Sequence, residues 1–333
     1  MRSTKPIRLL PVLIILLLLC LTGCGKEDSA PQAGTPEETL KAGSQEMSQD
    51  AKADKSEDSE KKVENPYQAP DLALTKFHSD KAEGDSTASI DLSAADQGYV
   101  GVSAVSDQRL KFQVLMDDST YNYDLKGDGT PCFYPLQCGD GSYRFRIMEN
   151  VIDSKYAELF STSCDVTIKD QFQPFIRPSE YVSYGPDDAC VKVAQKLASR
   201  SEDALGVVHE IYDYVCDNVS YDKEKAKDVK VGYLPDPDET LSSGKGICFD
   251  YASLAAAMLR SQGIPTKVIF GYVSPNDLYH AWNMFYTEET GWVTVDYEVT
   301  GDDWNRLDLT FAANGADGDF IGDGSNYTDV YCY

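Results

Sequence analysis

The stretch that decides the fold of the second half of the chain is "GKGICFDYASLAAAMLRSQGIP", residues 244–265. Small and apolar residues fall on nearly every side of a helix here, so the spacing predicts a buried helix over residues 248–262. Gly263 and the proline beyond it are the usual signal for a helix C-terminus. Cys248 lies in the first turn, where the helix dipole and free backbone N–H groups favour a thiolate. This position makes Cys248 a candidate nucleophile.

A nucleophilic cysteine needs a general base near its sulfur and a third group that orients the base. The chain has 3 histidines. His78 stands alone near the N-terminal tail, and His209 lies beside the apolar stripe of a predicted helix, so both are interpreted as surface residues. His280 opens the segment "HAWNMFY" and is therefore the candidate base.

The segment 280–286 alternates in polarity like a strand, and "WVTVDYE" (292–298) follows after the turn "TEETG". This pattern predicts a β-hairpin. If the last tyrosine of the first strand pairs with the tryptophan of the second, His280 is opposite Glu298 and diagonal to Asp296. A tighter turn places Asp296 directly opposite His280. Asp296 is therefore the candidate that orients the base.

These motifs, in the order cysteine, histidine, aspartate, resemble the transglutaminase-like superfamily. The resemblance covers residues 231–297 and rests on "GKGICFDYASLAAAMLRSQGIPTKVIFGY", "HAWNMFY" and "GWVTVDYE". It implies a papain-like α+β domain, which we expect over residues 186–333. Many members have a proline after the aspartate, whereas this chain has Tyr297, which changes the strand exit but leaves the three residues in place.

The resemblance also implies a chemistry in which Cys248 is the nucleophile, His280 the base and Asp296 the orienting residue. The thiolate attacks a carboxamide or peptide carbonyl, and an amine (cross-linking) or water (deamidation or proteolysis) resolves the thioester. The backbone N–H of Cys248 is the expected oxyanion donor, with Tyr221 and Tyr233 as weaker candidates. The expected partner is a protein or peptide substrate, including cell-wall peptide. No cofactor is expected, and no cysteine–histidine spacing typical of a zinc site occurs.

Two other interpretations of the same residues stay open. The fold is also compatible with a non-catalytic surface module that binds cell-wall or protein partners. Cys248 is also compatible with a structural disulfide. Among the other cysteines, the pair Cys132 and Cys138 and the pair Cys190 and Cys216 are candidates for disulfides outside the cytoplasm.

The N-terminal region has the features of a lipoprotein signal. A positively charged start precedes an apolar run that is short for a membrane span, and the run ends in "LTGC". This resembles the bacterial lipobox, so we expect residues 1–23 to be removed and Cys24 to carry lipid. Residues 24–70 are polar and rich in charge, which predicts a disordered tether. The expected location is the outer face of the bacterial cytoplasmic membrane, with the bilayer as a partner through acylated Cys24.

Residues 75–178 carry short alternating runs with turn signals between them, which favours an antiparallel sandwich of the immunoglobulin-like type. The expected strands are "RLKFQVLM", "STYNYDL", "SYRFRIME" and "CDVTIKD". The predicted fold class is therefore α+β, with an all-β domain before the catalytic one. A formal net charge of -25 argues against nucleic acid as a partner.

Three further segments complete the prediction. Helical signals predict helices at 186–200 and 203–219. The polar stretch 223–246 predicts a long loop that lines a cleft. The acidic, glycine-rich tail 314–333 predicts irregular surface structure, with weak cation binding as the alternative.

Overall fold

The computed structural model describes residues 63–274, 278–293 and 327–333. The predicted signal sequence, Cys24 and the tether as far as residue 62 lie outside the described residues. So do Asp296 and Trp304. Within the part that is described, no helix is both long enough and apolar enough to cross a membrane.

The first half of the described chain forms two antiparallel four-stranded sheets. The strands are β1 (Glu83–Gly84), β2 (Ala88–Asp91), β3 (Tyr99–Ala104), β4 (Leu110–Met116), β5 (Ser119–Leu125), β6 (Cys132–Pro135), β7 (Gly141–Ile152) and β8 (Lys155–Val166). Their order is β1-β2-β3-β6 in one sheet and β5-β4-β7-β8 in the other. The Tyr134 ring of β6 lies 4.5 Å from the Phe112 ring and 4.7 Å from the Tyr123 ring, measured between centroids. These aromatic contacts hold the two sheets face to face.

The predicted strands "RLKFQVLM", "STYNYDL" and "SYRFRIME" correspond to β4, β5 and β7. The turn between β4 and β5 has two residues and begins with Asp117, whose φ of 49° suits a tight hairpin. The prediction of a strand over 164–170 is wrong in its bounds, because β8 starts earlier and ends at Val166. Strand β8 extends back to Lys155 because it is paired with β7 along its length, from Gly141–Val166 to Ile152–Lys155.

The second half of the chain combines helices with a third antiparallel sheet. The helices are α1 (Ala189–Ala198), α2 (Ala204–Asn218), α3 (Lys223–Asp228), α4 (Pro237–Ser243) and α5 (Cys248–Ser261). The remaining strands are β9 (Ser220–Tyr221), β10 (Lys245–Gly246), β11 (Thr266–Val273), β12 (Leu278–Thr287), β13 (Gly291–Val293) and β14 (Tyr327–Cys332). The sheet has the order β13-β12-β11-β14, while β9 and β10 form a short parallel pair.

Local capping explains where the helices begin. The Asp203 carboxylate accepts the Gly206 N–H at 2.7 Å at the start of α2. The polar stretch 223–246, predicted as a loop, instead contains α3 and α4. Asp222 and Asp236 cap these helices by accepting backbone N–H groups of their first turns. The loop prediction is correct only between the two helices, because polarity does not distinguish a solvated loop from a short capped helix.

Two terminal segments pack more closely than the sequence predicts. The end of the predicted tether is attached to the second half: the Tyr67 N–H donates to the Ser201 carbonyl at 2.7 Å, and the Tyr67 hydroxyl to the Gln262 carbonyl at 3.0 Å. The prediction of an irregular tail is wrong for residues 327–332, which form β14 along β11. Both contacts are long-range, so local composition does not reveal them.

Helix α5 lies at the centre of the second half, and all of its residues are buried. Its polar side chains are satisfied by fixed partners: Ser253 donates to the Tyr181 carbonyl at 2.7 Å, and Tyr251 to the Val219 carbonyl at 2.7 Å. Apolar residues of α5 belong to one hydrophobic cluster that continues into the two sheets of the first half. The N-terminal residue of α5, Cys248, is therefore held in a rigid environment.

Among the described residues, no cysteine is joined in a disulfide. The structure therefore does not form the candidate pairs Cys132–Cys138 and Cys190–Cys216. Nor does it contain a bridge at Cys248. Burial raises the pKa of the Cys132 thiol to about 11, and burial raises the pKa of the Cys190 thiol further still. Both thiols are protonated core groups at neutral pH.

We expect Arg260 to be a main anchor of the fold. It is buried, its pKa is lowered to about 10 by burial, and it donates to the backbone carbonyls of Thr266, Arg177 and Tyr333. Arg260→Met leaves these carbonyls without their donor, so the free energy of unfolding should fall by about 3 kcal/mol in urea denaturation.

Arg200→Met is the control for this prediction. Arg200 makes a solvent-exposed pair with Glu210 at 3.5 Å, so its loss should cost less than about 1 kcal/mol. Equal effects of the two substitutions would contradict the anchoring role of Arg260.

Candidate active site

The backbone around Cys248 is fixed by the short parallel pair of β9 and β10. Gly246 in β10 is paired with Tyr221 in β9, and the Asp222 N–H donates to the Gly246 carbonyl at 2.8 Å. A Cβ atom at Gly246 would lie 2.5 Å from the Cβ of Asp250, so only glycine fits between β10 and the first turn of α5. The cysteine that follows is 2% exposed.

His280 lies on β12, the strand that packs against α5. It is paired with Gly271 of β11, it is buried, and its ring lies 6.1 Å from the Trp282 ring. Asn283 joins the strand to the helix, because its amide donates to the Ala252 carbonyl of α5 at 3.0 Å. This hydrogen bond fixes the strand that carries the histidine against the helix that carries the cysteine.

Cys248 and His280 line the same cavity. The cavity is narrow, with a volume of about 20 Å³. Its wall is largely apolar and aromatic, with Ile247, Phe249 and Phe270 at its sides. A partly open, apolar cavity that contains a thiol and an imidazole is suited to nucleophilic catalysis with the histidine as the base.

The hairpin that should bring a carboxylate to His280 has the first of the two predicted registers. Tyr286 is paired with Trp292, and Phe285 with Val293. Asp296 lies outside the described residues, so its place beside His280 stays a prediction. The aromatic ends of this hairpin are packed, with the Tyr286 ring 5.6 Å from the Trp292 ring.

The two tyrosines predicted as weaker oxyanion donors have different surroundings. Burial is the main cause that raises the pKa of Tyr221. The Tyr233 hydroxyl donates to the Asp250 carboxylate, and burial and this hydrogen bond raise the pKa of Tyr233. Tyr233 is therefore the less suited of the two, because its hydroxyl already serves Asp250.

The sequence analysis missed a buried ionic network under the cavity. Asp250 is fully buried in the first turn of α5, where its carboxylate accepts the Ile247 N–H at 2.7 Å. It also contacts the Lys225 ammonium at 2.8 Å, and that ammonium lies 2.5 Å from the Tyr233 hydroxyl. An aspartate at the third helical position is a signal for capping, but its lysine partner comes from α3 and has no local signature.

The other two histidines, His78 and His209, are both half-buried. The His78 ring lies 3.2 Å from the Asp91 carboxylate and 3.1 Å from the Ser93 hydroxyl, so it is half-buried in a polar cluster, not a free surface residue. His209 is half-buried on α2. Within the described ranges, no group of three or more histidine, cysteine or acidic side chains is arranged to hold a metal ion.

A family model and several known proteins are similar to parts of this chain. Residues 191–297 match the family model of the transglutaminase-like superfamily. The UPF0252 protein MJ1282 of Methanocaldococcus jannaschii is 31% identical over 70 residues, which is 20% of this chain. The matched segment covers 20% of the length of that curated relative.

Two solved structures have a distant similarity to this chain. A candidate cysteine protease from Cytophaga hutchinsonii has a TM-score of 0.34 at 16% identity, with 69% of this chain and 80% of the other covered. Red sea bream transglutaminase has a TM-score of 0.29 at 12% identity, with 62% and 49% covered. Both scores are below 0.5, so the family-model match alone identifies the domain. The described chain is thus a mixed α/β protein with helices and many antiparallel strands.

The Asp250 network should contribute strongly to stability. Asp250→Ala removes the cap of α5 and leaves Lys225 without its carboxylate, so urea denaturation should show a loss of about 3 kcal/mol. Asp238 is the matched control, because it accepts the N–H groups of Ala189 and Cys190 at the start of α1 but is partly exposed.

Asp238→Ala should cost only about 1 kcal/mol, the usual value for an N-terminal cap. An Asp250→Ala variant that loses no more than the Asp238→Ala variant would show that the buried ion pair does not stabilise the start of α5.

Proposed function

Because residues 191–297 belong to the transglutaminase-like superfamily, we propose that this chain is a cysteine-dependent acyl-transfer enzyme. The observation that carries the proposal is the placement of Cys248 and His280 in the wall of one cavity. Cys248 is the nucleophile, His280 is the general base and acid, and the substrate is a carboxamide or peptide of a protein or cell-wall partner.

The reaction has two halves. In the first, His280 takes the thiol proton, Sγ of Cys248 bonds to the carbonyl carbon, the C–N bond breaks, and His280 passes the proton to the departing amine or ammonia. In the second, an amine or water attacks the thioester, the C–S bond breaks, and His280 moves a proton from the attacking group to the sulfur, which restores the thiol. An amine acceptor gives cross-linking, and water gives deamidation or proteolysis.

The oxyanion of the tetrahedral intermediate needs hydrogen-bond donors close to the carbonyl carbon that Cys248 attacks. The backbone N–H of Cys248 is one proposed donor, because it lies at the start of α5, where the helix dipole favours negative charge. The Tyr221 hydroxyl is the second, because Tyr221 in β9 is paired with Gly246, two residues before Cys248. Tyr233 is excluded from the proposal because its hydroxyl serves Asp250.

We propose that Asp296 orients His280 from the second strand of the hairpin. The observed pairing of Tyr286 with Trp292, if continued along both strands, puts Glu298 opposite His280 and Asp296 diagonal to it. Two carboxylates are then candidates, and the superfamily resemblance favours Asp296.

The proposed cellular setting follows from the N-terminal sequence. Acylated Cys24 would anchor the chain to the outer face of the bacterial cytoplasmic membrane. We also propose that residues 75–178 are an immunoglobulin-like sandwich. The pairing order of the two sheets, with β4 next to β7 in one and β3 next to β6 in the other, supports this proposal.

The first test is the rate of alkylation of each cysteine by iodoacetamide, measured on the full chain by peptide mapping. Cys248 should react at least about tenfold faster than Cys138 or Cys164. These two are more exposed than Cys248, but burial raises the pKa of each thiol. Faster labelling of Cys248 than of these two thiols would therefore reflect activation of its sulfur and not greater access of the reagent.

The matching activity test uses glutamine-containing peptides and intact-mass detection of the thioester. The wild-type chain should accumulate an adduct on Cys248, and Cys248→Ala should not. Fastest labelling at Cys138 or Cys164, with no adduct from any peptide, would favour the alternative of a non-catalytic binding module.

The role of Asp296 is tested by a pair of carboxylate variants. Asp296→Asn should slow thioester formation by about 10²-fold or more, because the imidazole loses its orienting partner. Glu298→Gln removes the same charge two residues away and should change the rate by less than about threefold, since Glu298 has no role in the proposed reaction. The opposite ranking would assign the orienting role to Glu298.

A further inference from the structure

The cavity at Cys248 is closed to a substrate in this structure. Its volume of about 20 Å³ is close to the space that one water molecule needs. Cys248 is 2% exposed and His280 is 1% exposed, so a peptide cannot reach either reacting group. For the proposed reaction to occur, part of the cavity wall must move before the substrate binds.

One segment of the wall, residues 229–234, differs from the rest. It belongs to the connection between α3 and α4, whereas most of the other wall residues lie on α5 and on strands. Four residues of this segment also line a second cavity, of about 350 Å³: Val229, Lys230, Gly232 and Tyr233. The segment therefore has open space beside it, into which it can move.

The segment is folded as a tight turn that lies against the first half of the chain. The Tyr233 N–H donates to the Lys230 carbonyl at 3.0 Å, and Gly232, the third residue of this turn, has φ of 81°. A Cβ atom at Gly232 would lie 3.0 Å from the Asp124 carboxylate of β5, so the turn is packed closely on that strand. The contact with Asp124 is one of shape, and the polar attachment of the segment comes from the next residue.

The side chain of Tyr233 attaches the segment to helix α5. Its hydroxyl donates to the carboxylate of Asp250, which is fully buried in the first turn of that helix. The Lys225 ammonium lies 2.5 Å from the same hydroxyl and 4.5 Å from the centre of the Tyr233 ring. Hydrogen bonds to charged groups are stronger than those between neutral groups, so this bond ties the segment firmly to the helix that carries Cys248.

We propose that residues 229–234 form a gate over the nucleophilic cysteine, and that the hydrogen bond between Tyr233 and Asp250 keeps this gate closed. This inference rests on the proposed function and deepens it by naming how access to the same site is controlled. The gate opens when Tyr233 leaves Asp250, while the carboxylate keeps the Lys225 ammonium and the Ile247 N–H as partners. The start of α5 therefore stays capped in the open state.

The test compares the wild-type chain with Tyr233→Phe, which removes the hydroxyl and keeps the ring. The rate of alkylation of Cys248 by iodoacetamide is measured on the full chain as a function of pH, by peptide mapping. The plateau rate at high pH should be about tenfold higher in Tyr233→Phe, because the open state gains that factor when a hydrogen bond to a charged group is lost. The pH midpoint should stay the same, since the gate changes access to the thiol and not its acidity.

Two controls separate opening of the gate from a general loosening of the fold. Cys132 and Cys190 are buried core thiols, so their labelling reports unfolding, and the Cys248 rate is compared relative to theirs. Tyr214→Phe is the matched control variant, because Tyr214 is half-buried on α2 and lines neither cavity. It should leave the relative rate of Cys248 within about twofold of the wild-type value.

Hydrogen exchange on the wild-type chain is a second measurement, which needs no variant. The Tyr233 amide should exchange at least about a hundredfold faster than the amides in the middle of α5, because opening of the gate leaves the helix intact. Equal protection of the two would mean that the segment moves only when the whole domain unfolds, and the gate would be rejected.

The outcomes separate this inference from the proposed function. An unchanged relative rate of Cys248, a shifted pH midpoint without a higher plateau, or equal effects of the two tyrosine variants would overturn the gate. Faster labelling of Cys248 in Tyr233→Phe, with no thioester from any peptide, would keep the gate and reject the acyl-transfer enzyme.

Discussion

The burial of α5 on every side is the constraint on which the rest of the structure depends. A helix without a solvent-exposed face must have every polar side chain satisfied inside the protein, and Asp250, Ser253, Arg260 and Ser261 all have hydrogen-bond partners. Some of these partners come from distant elements, because Ser253 donates to the Tyr181 carbonyl and Arg260 to the Arg177 and Tyr333 carbonyls. The helix start is thereby fixed in position, and Cys248 with it.

The same packing explains how the thiol and the imidazole come to share a cavity. Small side chains such as alanine let β12 approach α5 closely, and the Asn283 amide holds the two together at the Ala252 carbonyl. The cavity lies at the helix start, where Val229, Leu234 and Ile247 form part of its wall. Catalytic groups on rigid elements with a mobile or loop-built wall are a common arrangement in enzymes.

Much of this arrangement is readable from the sequence, because its signals are local. The apolar spacing of 248–262 predicts α5 to within a residue, and the alternation around "TEETG" predicts the hairpin and one of its two registers. The lysine partner of Asp250 and the contact of Gly232 with Asp124 could not be predicted, because each joins segments with no common pattern. Strand β14 and the short helices α3 and α4 were missed because polar, acidic composition is shared by loops, edge strands and capped helices.

The measurement that tests the central claim most directly is a crystal structure of the full chain after reaction with a peptide chloromethyl ketone. The account predicts a thioether on Sγ of Cys248 and a ring nitrogen of His280 within about 3–4 Å of the reacting atoms. Modification of another cysteine, or an imidazole turned out of the cavity and beyond reach of the sulfur, would contradict it.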